Sequence, residues 1–269
     1  MNYYLESLGC PKNLVDAQGM ARLLKHLGYS PVSDPDLARV LIVNTCGFIE
    51  DAREESLDEL RQLAGQKRPG QVLIAAGCLS QRWGEALLDE VPGVDGLLGT
   101  RRWADIGTLI EAMGQDSEHK GPLTLLGDPA LAKGADIART ARQGASAYLK
   151  IADGCNAPCA FCAIPLIKGP AASRPVEEIV EDAAGLVLDG AKEIILIAQD
   201  TTAYGRDRGE RDALPDLFQA MLSRIDSVAP DLAAEGLPWL RLMYAYPGHV
   251  SARLIDAMAS DRRICAYLD

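Results

Sequence analysis

Three cysteines stand close together in the second half of the sequence, at a spacing that suits a single metal centre. Cys155, Cys159 and Cys162 are separated by three and then two residues, and they follow a run at 147–152 that we predict to be a strand. Thiolates are the soft ligands that iron–sulfur clusters prefer, and three of them leave one iron of a four-iron cluster open. A structural zinc site would need a fourth Cys or His, which the loop lacks. The spacing therefore favours an iron–sulfur cluster over zinc.

The first half of the sequence carries three more cysteines at equivalent places in its pattern. Cys10, Cys46 and Cys78 each come just after an apolar run that we predict to be a strand, and each has a glycine beside it. The carboxyl ends of parallel strands lie along one edge of a sheet, where open α/β folds bind their ligands. We therefore predict a second site with three thiolate ligands. The alternative is that these are ordinary core residues, as we expect for Cys265 in the last predicted strand.

The pattern of apolar runs predicts an α/β protein with two domains. The first, over residues 1–125, alternates strands and helices and is expected to form an open parallel α/β sheet. Residues 126–144, in which Gly and Ala are frequent, are interpreted as a linker. Residues 145–269 repeat βα units and predict a partial βα barrel, which we expect to be truncated because the sequence stops inside a fourth strand.

The predicted elements follow from the periodicity of the apolar residues. Strands are expected at 3–8, 40–44, 72–76, 147–152, 193–198, 239–245 and 264–268. Helices are expected at 14–27, 50–64, 81–90, 103–113, 175–187, 214–225 and 249–258. Asn13 is interpreted as the N-cap of the first helix, because its amide can accept a hydrogen bond from the first helical turn.

Composition and charge narrow the class of function. The chain has a net charge of −11, a pI of about 4.8 and 5% aromatic residues, which disfavours a basic groove or stacking platform for nucleic acid. The sequence has no apolar run of membrane-spanning length and no signal peptide, so a cytoplasmic protein is expected. In that reducing compartment, clustered thiols indicate metal binding or catalysis more than disulfides.

Four stretches of the sequence resemble the radical S-adenosylmethionine (SAM) methylthiotransferase family. They are residues 7–16, 44–49, 164–170 and 198–202. A loop such as 155–162 is typical of radical SAM enzymes, and its pairing with an N-terminal three-cysteine domain is typical of methylthiotransferases. The likeness covers nearly the whole chain. It implies two [4Fe–4S] clusters, a SAM-binding one held by Cys155, Cys159 and Cys162 and a second one held by Cys10, Cys46 and Cys78.

The resemblance also implies a substrate, a cofactor and partners. It is greatest to members that add a methylthio group to the β-carbon of an aspartate in ribosomal protein S twelve (uS12), with SAM as both radical source and methyl donor. Phe161 and Gln199 are candidate SAM contacts, although a structural role for Gln199 stays open. An electron donor such as flavodoxin or ferredoxin is implied, and neither a membrane nor DNA is expected as partner. The family's chain continues into more barrel and a small β domain, so we expect autonomous activity to be impaired.

Two alternatives remain at this point. The chain resembles, less well, the tRNA-modifying methylthiotransferases of the MiaB type, which act on an adenosine and differ in the segments around Cys10 and Gln199. The second alternative, from another class, is an iron–sulfur protein without catalytic activity, which would not cleave SAM when reduced.

Overall fold

The computed structural model describes residues 1–115, 121–127 and 137–269, which form two compact units. The first unit consists of residues 1–137 together with 158–169, and the second consists of 138–157 together with 170–269. Two of the cysteines in the 155–162 loop thus belong to the first unit and one to the second. The predicted domain limits at 125 and 145 stay predictions, and residues 128–136 of the predicted linker lie outside the described residues.

A parallel sheet is the centre of the first unit. Its strands are β1 (Asn2–Ser7), β2 (Ser30–Pro31), β3 (Val40–Thr45), β4 (Val72–Gly77), β5 (Gly96–Gly99) and β6 (Leu123–Leu125). They are arranged in the order β2-β1-β3-β4-β5-β6, and every neighbouring pair is parallel. All six residues of β3 are buried, as expected for a central strand of a sheet that is covered on both faces.

Helices cover both faces of this sheet. They are α1 (Pro11–His26), α2 (Glu50–Gln66), α3 (Cys78–Trp83), α4 (Ala86–Glu90), α5 (Ile106–Gln115) and, after the cysteine loop, α6 (Ile164–Lys168). On one face Met20 and Leu24 of α1 pack with Trp103 and Ile106, and on the other a separate core contains the leucines of α2. The predicted open parallel α/β sheet is confirmed.

The structure corrects three local predictions in this unit. Asn13 is not the N-cap of α1, because the helix already begins at Pro11 with Cys10 as its cap, and proline is well suited to the first helical position. The predicted helix at 81–90 is two short helices, α3 and α4, interrupted at Gly84. The predicted helix at 103–113 begins as a 3₁₀ turn (Thr100–Asp105) before α5.

The second unit is a smaller sheet with helices against it. Its strands are β7 (Thr140–Gln143), β8 (Ser146–Lys150), β9 (Ala152–Asp153), β10 (Ala172–Ser173), β11 (Glu193–Ile197) and β12 (Trp239–Leu242). Its α-helices are α7 (Val176–Leu188), α8 (Leu214–Val228), α9 (Pro230–Glu235) and α10 (Ala252–Ser260). The main sheet has the order β12-β11-β8-β7, in which β11 is parallel to both of its neighbours and β7 is antiparallel to β8.

The βα repeats of this unit match the sequence pattern, except at its end. The predicted strand at 264–268 is wrong, since only Ile264 makes an isolated parallel bridge, to Leu240. Cys265 is therefore not a strand residue, and it is half-buried rather than in the core. The three short strands β7, β9 and β10 were not predicted. No helix in the described ranges is both long and apolar enough to cross a membrane.

Candidate functional site

Three cysteines of the first unit follow three adjacent strands of its sheet. Cys10 caps α1 just beyond β1, Cys46 directly follows β3, and Cys78 is the first residue of α3 directly after β4. Because β1, β3 and β4 are neighbours and parallel, all three residues are at the same edge of the sheet. Each pair of the three thiols is close enough to interact electrostatically. The structure thus brings this predicted trio together.

Glycines allow the three cysteine loops to approach one another. Gly9 has a φ of +86°, and a Cβ built on it would stand 2.7 Å from the Cβ of Cys46. A Cβ on Gly47 would stand 2.7 Å from the Cα of Leu79, next to Cys78. Both distances are too short for any other residue without a backbone shift. Gly9 and Gly47 are therefore required for the close approach of the loops.

A buried asparagine connects the same loops. The Asn13 side chain is 1% exposed, and its amide nitrogen donates to the carbonyls of Leu8 (3.1 Å) and Thr45 (2.9 Å). Its amide oxygen accepts from the thiol of Cys78 at 3.6 Å. Asn13 therefore contacts the segments that carry Cys10 and Cys46 as well as Cys78 itself.

Hydrogen bonds also fix the backbone of Cys46. Its N–H donates to the hydroxyl of Ser56 at 2.9 Å, and that hydroxyl donates to the carbonyl of Ala52, one turn earlier on α2. Ser56 is completely buried. The thiol is thus presented from a loop whose main chain is held by the adjoining helix.

Burial and charge determine the state of the thiols. Burial raises the pKa of Cys78 to about 11 and also raises the pKa of Cys46, and the other thiols act in the same direction. The ammonium of Lys168 acts in the opposite direction on both. Without a metal, the raised pKa values of Cys46 and Cys78 favour the protonated thiols, and a metal centre must displace these two protons in order to bind.

The cationic group beside the thiols is itself buried and paired. Lys168, the last residue of α6, has its Nζ 3.1 Å from the carboxylate of Asp16 on α1. Both side chains are 2% exposed. Neither residue was selected as a site residue from the sequence. The signal that could have identified them is a charged residue among the apolar positions of a predicted helix.

The donor set of the first trio fits an iron–sulfur cluster. No three His, Cys, Asp or Glu side chains among the described residues are arranged to hold a single metal ion. A four-iron cluster makes a different demand, because each thiolate binds its own iron and the ligands stand apart by the width of the cluster. Three soft thiolates on close, glycine-bordered loops with a cation nearby meet that demand.

The second trio lies in the loop that follows β9. Cys155 belongs to the second unit, and its sulfur accepts a hydrogen bond from the N–H of Ala157 at 3.4 Å. Cys159 and Cys162 belong to the first unit, and the N–H of Cys162 donates to the carbonyl of Cys159. All three are partly exposed, and Phe161 between them is 89% exposed.

Gln199 lies just beyond the carboxyl end of β11 in the second unit. Its side-chain oxygen is buried and has no hydrogen-bond partner among the described residues. Next to it, the carboxylate of Asp200 accepts from the N–H of Ala203 and stands 2.8 Å from Nδ1 of His249. An unpaired buried oxygen at a strand end is what a site that awaits a hydrogen-bond donor would show. The pairing of Asp200 with His249 had no signal in the sequence.

The chain is similar to known proteins along its whole length. A model of the family described as uncharacterized protein family UPF0004 matches residues 2–99. Ribosomal protein uS12 methylthiotransferase RimO from Chloroflexus aurantiacus is 45% identical over 100% of this chain and 60% of that protein. RimO from Myxococcus xanthus is 41% identical over 99% of this chain and 53% of that protein. The chain thus spans a little more than half the length of these relatives.

Solved structures share the fold. The radical SAM methyltransferase TsrM from Kitasatospora setae, with tryptophan and a SAM analogue bound, matches with a TM-score of 0.61 and 15% identity, over 96% of this chain and 57% of that one. The cobalamin-dependent SAM radical enzyme OxsB matches with a TM-score of 0.54 and 9% identity, over 96% and 41%. At such identities the likeness establishes the fold alone. The relatives of 41–45% identity over the whole of this chain are uS12 methylthiotransferases, and the chain belongs to the family that these RimO proteins represent.

Proposed function

We propose that this chain is part of a radical SAM methylthiotransferase that replaces a hydrogen on the β-carbon of an aspartate of uS12 with a methylthio group. The observation that carries the proposal is the cysteine trio at the ends of β1, β3 and β4, because plain core cysteines would have no reason to share one sheet edge. The names of the relatives supply the substrate. We propose the cytoplasm as the location and flavodoxin or ferredoxin as the electron donor.

The cysteines are proposed to hold two [4Fe–4S] clusters. Cys10, Cys46 and Cys78 would bind one, and Cys155, Cys159 and Cys162 would bind the other. When bound, the two clusters would supply the transferred sulfur and the electron for reductive cleavage of SAM, respectively. The chain's own contribution is to hold each trio on short loops, so that each cluster keeps one iron without a protein ligand.

Two side chains are proposed to contact SAM. Gln199 would accept a hydrogen bond from SAM, since its buried oxygen has no other partner among the described residues. Phe161 presents an exposed ring between two of the cluster ligands. The Asp200–His249 pair fixes the turn that follows Gln199, through the bond from Ala203 to Asp200. These roles require a strand end that stays rigid when SAM binds.

Iron counting tests the two-cluster proposal. Anaerobically reconstituted protein should contain about eight irons per chain, and Cys155→Ala and Cys46→Ala should each retain about four. Cys265→Ala is the matched control, because this cysteine belongs to neither trio, and it should retain the full number. About four irons in the unsubstituted chain would contradict the proposal. Reduction with dithionite should then yield 5′-deoxyadenosine from SAM, and a non-catalytic iron–sulfur protein would yield none.

The substrate is tested by offering uS12 and tRNA in parallel. Mass spectrometry should detect a methylthio group on an aspartate of uS12 and no modified adenosine in tRNA. A full-length relative is assayed beside the present chain, because the relatives extend beyond the matched part. Product on tRNA alone would replace the proposed substrate with that of the MiaB type.

A further inference from the structure

Lys168 and Asp16 form an ion pair inside the first unit, with the ammonium 3.1 Å from the carboxylate. Both side chains are 2% exposed, whereas a buried ion pair is on average a weak source of stability, because two charges lose their hydration. Replacement by apolar residues would serve packing equally well. The pair therefore calls for a reason other than stability.

The short helix that carries Lys168 buries a charged side chain while one of its apolar side chains stays in solvent. In α6, Ile167 and Lys168 are both buried, whereas the apolar Leu166 is 80% exposed. The hydrophobic effect alone would favour burial of Leu166 over burial of Lys168. The orientation is explained if an interaction of the ammonium holds α6 in place.

The ammonium of Lys168 lies near the first cysteine trio. Its partner Asp16 is one turn after Asn13 on the same face of α1, and Asn13 accepts a hydrogen bond from the thiol of Cys78 at 3.6 Å. The charge of Lys168 favours the anionic form of the thiols of Cys46 and Cys78. In a water-excluded environment such a charge acts more strongly than it would in solvent. A cluster held by thiolates is net negative and becomes more negative when it accepts an electron, so the same charge must favour the reduced form.

We propose that Lys168 is a buried counter-ion that raises the reduction potential of the iron–sulfur cluster held by Cys10, Cys46 and Cys78, and that Asp16 holds it there and moderates its effect. This rests on the proposed function only in that a cluster occupies this trio. Lys168 is a positioning residue in this respect, since it acts through the field at the cluster. The step concerned is the uptake of one electron by the cluster from an external donor, which is dithionite in the experiment below.

The test measures this potential without interference from the second cluster. The background is the 269-residue chain with all three later ligands removed, Cys155→Ala, Cys159→Ala and Cys162→Ala. In this background, Asp16→Asn is compared with Asp16→Asn/Lys168→Met, so that the two proteins differ only in the charge at position 168 and neither contains an unpaired buried carboxylate. Dithionite titration followed by electron paramagnetic resonance gives the midpoint potential of each.

Removal of the charge should make reduction about tenfold less favourable, which is a shift of about 59 mV to more negative potential for a one-electron couple. Lys168→Arg, with Asp16 intact, should stay near the parent potential, and Asp16→Asn alone should shift it upward. A structural disturbance alone would not shift the midpoint potential in opposite directions when Lys168 and Asp16 are substituted.

The outcomes separate the inference from the proposed function. If iron is bound and the removal of the charge at Lys168 leaves the potential unchanged or raises it, the inference is overturned while the ligand assignment stands. If the background chain is folded by circular dichroism and binds no iron, both are overturned. The Asp16→Asn/Lys168→Met protein could fold and yet bind no iron, in which case the iron content of Lys168→Arg decides. Iron retained by Lys168→Arg supports the role of the charge, and iron lost from it overturns the inference.

Discussion

Substitution of Asn13 by alanine should destabilise the first unit strongly, although it removes only a small polar group. The side chain donates to the carbonyl of Thr45, which is buried, and to that of Leu8, which is part-buried, at 2.9 and 3.1 Å. A buried group that loses its partner costs about 1–3 kcal/mol and a part-buried one costs less, so the two together amount to about 2–4 kcal/mol. Since whole domains are stable by about 5–15 kcal/mol, we expect a loss near 3 kcal/mol and a large shift in the unfolding midpoint.

Tryptophan fluorescence can follow the unfolding of the first unit alone. Of the three tryptophans, Trp83 and Trp103 belong to that unit, and Trp239→Phe removes the third. Urea titrations in this background would compare Asn13→Ala with Asn2→Ala, whose amide makes an exposed 3.4 Å hydrogen bond and should cost less than about 0.5 kcal/mol. Equal midpoints for the two variants would refute the reasoning, because the carbonyls would then have other partners.

Two further predictions concern the close approach of the Gly47 and Leu79 backbones and the pH dependence of stability. Gly47→Ala would place a Cβ 2.7 Å from the Cα of Leu79, so it should destabilise the first unit by about 1–3 kcal/mol in urea titrations and lower the iron bound after reconstitution. Gly65→Ala, on α2 with no atom within 4 Å of the new Cβ, should instead be neutral or slightly stabilising, and a similar loss from both would contradict the argument. Burial opposes ionisation of Glu193, but hydrogen bonds from a serine and from Arg241 outweigh it and lower its pKa. The resulting stability is present above the usual glutamate pKa of about 4.3 and is lost as the pH falls through the lowered value. Glu193→Gln should therefore destabilise the protein near neutral pH, and its stability should approach that of the unsubstituted chain in acid. Urea midpoints measured across this pH range test the prediction.

The strands were predictable from the sequence where burial made them continuous apolar runs. The run at 40–44 became β3, whose bounds are Val40–Thr45 and whose residues are all buried. By contrast β5 (Gly96–Gly99) consists of two leucines between two glycines, a composition that intrinsic preference assigns to a turn. It is a strand because it pairs with β4 on one side and β6 on the other, and these contacts form only in the folded protein.

The cysteines of the first trio were predictable for the same reason, whereas the residues that support them were not. A residue that directly follows a buried parallel strand must be at the carboxyl edge of the sheet. Prediction of the strands therefore also predicted where the three cysteines lie. Asn13 and Lys168 have no such marker. Asn13 looked like a helix cap, and its contacts with Leu8 and Thr45 span loops that only the folded sheet brings together. Lys168 meets Asp16 across 152 residues of sequence.

Polar side chains bind the backbone at several of these strand ends. A loop at the edge of a sheet leaves carbonyls without strand partners, and each must be satisfied if the loop is buried. In the first unit the amide of Asn44 donates to the carbonyl of Asn13, and Ser56 holds the backbone of Cys46. In the second, the hydroxyl of Thr201 donates to the carbonyl of Met243, beyond the end of β12. Because such bonds depend on direction as well as distance, a polar group at these strand ends should tolerate substitution less than an apolar neighbour of the same size, and selection for a fixed site would act on these polar groups first.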